Sequence, residues 1–443
     1  MAVLDPRGNP VSTRSTAAAD ATEQALWRIM SFYGTPIDDL ALAHAADPQW
    51  PLPLLMQAGF LLSLTEPSVL GDAQALIERA EPLMTNANAR EQTHLHALRV
   101  LLVGDWPGAC AAWEALLLQH PRDALALQWA HLFDFYRGDA TNLRQRGARV
   151  LPEWDVADAL YPYVLGQYAF GLEECQLYAQ AEETGRRALS GTAKVPWAIH
   201  AVAHVMEMQG RYTEGAAWMQ HWHADWAVGN GFVGHLGWHH ALFALEALDG
   251  ATALQHFDAH LKADPAQITL QRLDASALLW RLHLLGADVG PRWRELVAGW
   301  DLSAQAAGHY PFNDLHALLA LIGADELARA RDWIALVDAQ AIHPVARDIG
   351  LPLMRGMLDF AHGRFDAAIQ TMYPLRALAS RFGGSHAQRD LIDQTLIAAA
   401  AHGGDPAVGR ALLNERRLAK PITPLTEHWS ARLANIGDGR RRL

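Results

Sequence analysis

The chain has 443 residues, more than one compact core usually holds, so it must divide into domains or grow by repetition. With 51% hydrophobic and 19% charged residues it has the composition of a globular protein and not of a disordered one. The formal charge of −12, without a lysine or arginine block before Arg440-Arg441-Arg442, argues against nucleic acid or an anionic membrane surface as a partner.

The first segment, MAVLDPRGNPVSTRSTAAADA, lacks a basic region followed by an apolar stretch and does not read as a secretion signal. Residues 1–25, rich in Ala, Ser and Thr, read as an extended arm, residues 26–435 as one continuous helical body, and residues 436–443 as a basic tail. No apolar run reaches the roughly 18 residues of a spanning helix. Cys110 and Cys175 stand far apart and outside any C-x-x-C context, which argues against a disulfide framework or zinc ribbon and for small buried residues. A cytoplasmic protein is the simplest expectation.

Along the chain, Ala, Leu, Arg, Glu and Gln fill segments of helical length, and alternating Val, Ile and Thr runs are lacking, so the fold class is all-α. Short breakers separate the helices: GDWPG at 104–108, HPRD at 120–123, RGD at 137–139, MQGRY at 208–212 and HGRF at 362–365. Tyr178 and Tyr212 are 34 residues apart, each just after a turn and three positions before a small residue, Ala181 or Gly215. That offset is the period of a tetratricopeptide repeat. The pattern returns at Trp106 with Ala109 and at Phe365 with Ala368. It predicts a tetratricopeptide-like superhelix, an α-solenoid of antiparallel helix pairs forming a single continuous domain.

Polar side chains fall where helical periodicity expects packing. AIHAVAHVMEM puts His200, His204 and Glu207 on one helix face, and GHLGWHHALFALEAL does the same for His235, His239 and Glu246. Where first helices of successive repeats stand side by side, the two faces can meet, and imidazoles one turn apart can hold a divalent metal; His200, His204, His235 and His239 are the candidate ligands. Packed, hydrogen-bonded histidines are the competing reading. Asp274, in LQRLDASALLWRLHLLG, can orient a neighbouring histidine or cap its own helix.

As a small-molecule site, His204, Glu207, His239 and Asp274 are the expected acid, base and orienting groups, with histidine suited to the role near neutral pH. His235, Trp238, Asp314, His316, His386, Arg389 and Asp390 are the expected ligand contacts. Asn313 or Asp314 in PFNDLHALLALIGA reads equally as a helix cap, and in GGSHAQRDLIDQ Ser385 can cap a helix carrying Arg389.

Many ordered blocks resemble the tetratricopeptide repeat protein 38 family, among them DPRGNPVSTRS at 5–15, NLRQRGARVLPEWD at 142–155, YVLGQYAFGLEEC at 163–175, IHAVAHVMEMQGRYTEG at 199–215, GHLGWHHALFALE at 234–246 and GGSHAQRDLIDQTLI at 383–397. The resemblance runs along almost the whole chain. It implies an α-superhelix and places His200, His204, Glu207, His235, His239, Asp274, Asp314, His316, His386, Gln388, Arg389 and Asp390 in the family pattern. The chain departs from that pattern at Leu236, Gly237 and His240.

Three functions fit these residues. The leading one is a His/Glu/Asp/Arg-lined pocket for a small polar or anionic molecule, with histidine acid–base chemistry. The others are a peptide-binding scaffold and a metal-dependent hydrolase or metal-binding protein. The expected partner is a small-molecule ligand, a divalent metal is the one cofactor with support, and a homo-oligomer is compatible with all three.

Overall fold

The computed structural model describes residues 3–262, 268–341, 343–420 and 423–441, the last seven of these as backbone only. Among the described residues there are twenty-four α-helices and one hairpin of two-residue strands, Val3–Leu4 with Pro10–Val11. The all-α expectation therefore holds. The chain separates into two compact units, Met1–Val202 with Trp222–Phe232 and Ala203–His221 with Val233–Leu443.

The repeat signals mark helix boundaries. Trp106, Tyr178, Tyr212 and Phe365 are each the first residue of a helix, Trp106–Gln119, Tyr178–Leu189, Tyr212–His221 and Phe365–Met372. Before each aromatic, or in the equivalent breaker at 137–139, a glycine turns the chain: Gly104, Gly138, Gly210 and Gly363 all have positive φ. Gln176, a non-glycine at φ 62°, does this before Tyr178. Asp105, Asp123, Asp139, Asp249 and Asp405 each cap the following helix through a side-chain oxygen.

In the first unit, Ala124–Tyr136 buries every residue except Phe135, whereas its successor Ala140–Val150 buries only Leu143, Arg146, Gly147 and Val150. One helix of the pair is interior and the next is amphipathic, with an apolar stripe at i, i+3, i+4 and i+7. The second unit repeats the scheme: Val233–Glu246 is buried along nearly its whole length, while Gly250–His260 buries Ala253 and Phe257. Most polar residues in these interior helices are therefore buried, whatever their chemistry, while His235 is partly exposed.

Two boundaries differ from expectation. The arm ends at Ser15, whose hydroxyl caps the helix Thr16–Ser31, because the Ala-rich stretch is a good helix former rather than a linker. At the other end the helix Pro424–Arg441 continues into the expected tail, and residues 442–443 lie outside the described residues. Cys110 is buried as expected, but Cys175 is only half-buried. No described helix is long and apolar enough to cross a membrane.

The small residues set the approach of paired helices. Ala109, Ala181 and Ala368 are fully buried, and a Cβ on Gly215 would overlap the Phe243 ring of the adjacent helix. Gly215→Ala is expected to lower the melting temperature. Overpacking costs about 1–3 kcal/mol, against about 1 kcal/mol that Ala gains over Gly in a helix interior. A thermal melt in which the variant is more stable than wild type would contradict this packing.

Candidate metal centre

The interior helices of the second unit carry its buried polar groups. The part of Pro196–Met208 that belongs to this unit contributes His204 and Glu207. Val233–Glu246 contributes His235, His239 and Glu246, Thr269–Leu284 contributes Asp274 and Arg281, and Pro311–Gly323 contributes Asp314 and His316. His386–Ala401 adds Gln388 and Asp390.

His204, His235 and His239 each offer a ring nitrogen within 4.8 Å of one offered by the other two. The His204 and His239 rings stand 4.4 Å apart, and those of His235 and His239 4.9 Å. A carboxylate holds two of the three. Nδ1 of His235 is 2.8 Å from Oδ2 of Asp274, and Nδ1 of His239 is 3.2 Å from Oε2 of Glu207. Where the carboxylate is ionised it only accepts, so that Nδ1–H then donates and the imidazole lone pair is on Nε2. Asp274 also accepts from Nε2 of Gln388 at 3.4 Å, and Gln388 completes a capping box with Ser385.

Burial sets the charge states. Desolvation, aided by the nearby His235 and His239, drives His204 well below the ordinary histidine range; desolvation, His235 and Arg281 do the same to His239. Both are neutral at physiological pH, the form that ligates metals. Burial raises the Glu207 carboxyl to about 7, against the opposing pull of Lys420 and Arg281. His386 and Arg389 lie close enough for their charges to depress His204 further. Arg389 donates to the carbonyl of Gly384.

Trp238 is fully buried, stacked on His235 at 5.3 Å and covered by the Arg281 guanidinium at 5.5 Å, so it is a wall of the cluster. Asp390 is bonded by Arg416 at 3.2 and 3.4 Å and by Gln394 at 2.5 Å. Burial would raise Asp390, but Arg416, Lys420 and Arg281 outweigh it and hold it ionised. Glu246 accepts from Arg416, from Lys420 at 3.1 Å and from Thr423 at 2.7 Å, which takes it out of the histidine face. His200 belongs to the first unit, where its ring packs among Phe170, Trp197 and Phe232 at 5.0–5.1 Å.

His316 donates from Nδ1 to the carbonyl of Phe312 at 2.7 Å, and its Nε2 has no hydrogen-bond partner among the described residues. Burial lowers it to about 4. Asp314 is not the helix cap, since the cap position is Tyr310; its Oδ1 accepts from the backbone of Gly308 at 3.2 Å. At Gly237 a Cβ would overlap His260, and His240 stacks on His256 at 3.9 Å.

No family model matches the chain. A tetratricopeptide repeat protein from Parabacteroides merdae is similar at a TM-score of 0.32 and 14% sequence identity, covering 69% of this chain and 98% of that one.

Sequence reasoning missed Arg281, Arg416 and Lys420. Arg281 had a signal, a lone cation inside the apolar run ALLWRLHLLG; Arg416 and Lys420 sit in NERRLAK, which reads as an ordinary solvated helix face.

Burial raises Asp314 to about 8 from an ordinary value near 3.8, so the folded protein keeps a proton that the unfolded chain has lost. This group's contribution to stability is present in acid and falls as pH rises from about 4 to about 8. Asp314→Asn removes that dependence. Relative to wild type, the variant is expected to gain stability between pH 5 and pH 8, by at most about 4 kcal/mol. Urea unfolding at the two pH values measures it, and an unchanged difference would show that Asp314 titrates normally.

Proposed function

We propose that the second unit holds a divalent transition metal on His204, His235 and His239 and uses its open coordination position to act on a small polar or anionic molecule. The observation that carries this reading is that His204, His235 and His239 gather ring nitrogens within 4.8 Å of one another while carboxylates engage Nδ1 of His235 and of His239. Carboxylate–histidine pairs of this kind orient metal ligands and raise their basicity. Three protein ligands leave a fourth position for water or substrate, the arrangement of a catalytic zinc site. Imidazole donors suit zinc, iron and other late divalent metals rather than magnesium or calcium.

When bound, the metal would supply Lewis acidity, polarising an oxygen of the substrate or lowering the pKa of its own water. Glu207, raised to about 7, is suited to accept and return a proton at neutral pH, and Asp274 holds His235 in the ligating tautomer. A second reading rests on Glu207 and His239 alone, whose contact would serve metal-free acid–base chemistry. The quoted sequence blocks further support membership of the tetratricopeptide repeat protein 38 family, and the composition supports a cytoplasmic setting.

Protein purified without chelator and analysed by elemental mass spectrometry should carry about one equivalent of zinc, iron or manganese, falling below about a tenth in His235→Ala and His239→Ala. Chelation should lower the melting temperature, since a ligand at 100 times its Kd stabilises by about 2.7 kcal/mol. Less than about a tenth of an equivalent in wild type, even after incubation with these metals, would remove the metal reading and leave the acid–base one.

A further inference from the structure

A separate cavity of about 440 Å³ lies in the first unit, and nothing in the metal-centre reading uses it. Its outer wall is the hairpin Val3–Leu4 with Pro10–Val11, whose turn carries Arg7 inward. Its apolar walls are Leu26, Trp50, Leu52, Met56 and Leu125, all buried. The Trp50 Nε1–H is spent on Glu91 at 2.8 Å, so that indole contributes apolar surface.

Two lining arginines, each 4% exposed, dominate its polar chemistry. Arg90 donates from Nε to Asp123 at 2.6 Å, yet its Nη1 is buried with no acceptor among the described residues. Arg7 donates from Nη2 to Glu23 at 2.5 Å and lies 3.5 Å from Asp5, and its Nε is likewise buried without an acceptor. The inner carboxylates are already committed. Asp123 also receives His94 at 3.1 Å and caps Ala126, and Asp5 receives the backbone N–H groups of Arg7 and Asn9 and the Asn9 amide. The exposed Arg14 and Asp20 stand among the lining residues nearer solvent. Nη1 of Arg90 and Nε of Arg7 thus remain as buried donors without an acceptor among the described residues, beside the lining carboxylates of Asp5 and Glu23.

A buried donor without an acceptor costs about 1–3 kcal/mol, and more when it is charged. A ligand carrying its own acceptors offsets that cost, and a carboxylate matches a guanidinium in geometry as well as charge. At the roughly 30 Å³ a water molecule occupies, the cavity admits on the order of fifteen non-hydrogen atoms. We infer that the first unit binds a monocarboxylate with an apolar body, its carboxylate toward Arg90 and Arg7 and its body against Trp50, Leu52 and Met56.

The test uses the full chain after chelator treatment, so that a metal cannot attract the probe, and titrates it calorimetrically with sodium octanoate and with 1-octanol. One saturable octanoate site is expected, at least about ten-fold tighter than octanol, because a hydrogen bond to a charged group contributes about 1.5–3 kcal/mol. Arg90→Gln should lose at least that ten-fold. Arg90 also anchors Asp123, so a variant that fails to fold is replaced by a measurement on wild type: a diazirine analogue of octanoic acid, mapped after photolysis, should label peptides containing Val11–Leu26 or Trp50–Met56. Absence of saturable binding up to about 1 mM, equal affinity for octanol, or label confined to other peptides would each overturn the inference.

Discussion

Two helices can pack antiparallel at close range only where a small side chain faces the partner, and the chain meets that condition at a fixed place in four of its repeats. Ala109, Ala181, Gly215 and Ala368 each stand three residues after the aromatic that opens a helix, and the three alanines are fully buried. At Gly215 even a methyl group is too large. The aromatic and the small residue divide the labour, one filling the space beside the turn and the other letting the backbones close. Interior helices such as Ala124–Tyr136 and Val233–Glu246 become buried along nearly their whole length as a consequence.

That burial creates the chemistry of the second unit. A histidine, glutamate or aspartate on an interior helix has no water to satisfy it, so its partner must come from a neighbouring helix or from a ligand. Asp274 and Glu207 supply partners for His235 and His239, while Arg416 and Lys420 neutralise Glu246 and Asp390. The two sets differ in kind. The carboxylate–arginine set is matched charge against charge, whereas the histidine set gathers imidazole rings beside carboxylates.

The first unit applies the same physics to a different end. Its arm is tied down by polar contacts: Asn9 reaches the carbonyl of Arg122, Ser12 reaches Glu91 and Thr13 reaches Asp47. These bonds bring Arg7 beside the cavity that Arg90 also lines, where one guanidinium nitrogen of each is buried without an acceptor among the described residues. Desolvation, joined by the charge of Arg146, also lowers His131 of this unit to about 3.

By itself the sequence determined the all-α class, the helix starts at Trp106, Tyr178, Tyr212 and Phe365, and the same-face spacing of His235 with His239, because helical period and turn chemistry are local properties. It offered Asp274 either as an orienting residue or as a cap of its own helix, and the contact with His235 is tertiary. The arm boundary was misread because Ala-rich composition suits a linker and a helix alike, and only the Ser15 cap distinguishes them. The division into two units, the pairing of Glu246 with Arg416 across 170 residues and the cavity behind the hairpin were decided by tertiary structure alone. Each depends on which distant helices become neighbours, and no periodicity within a single helix encodes that.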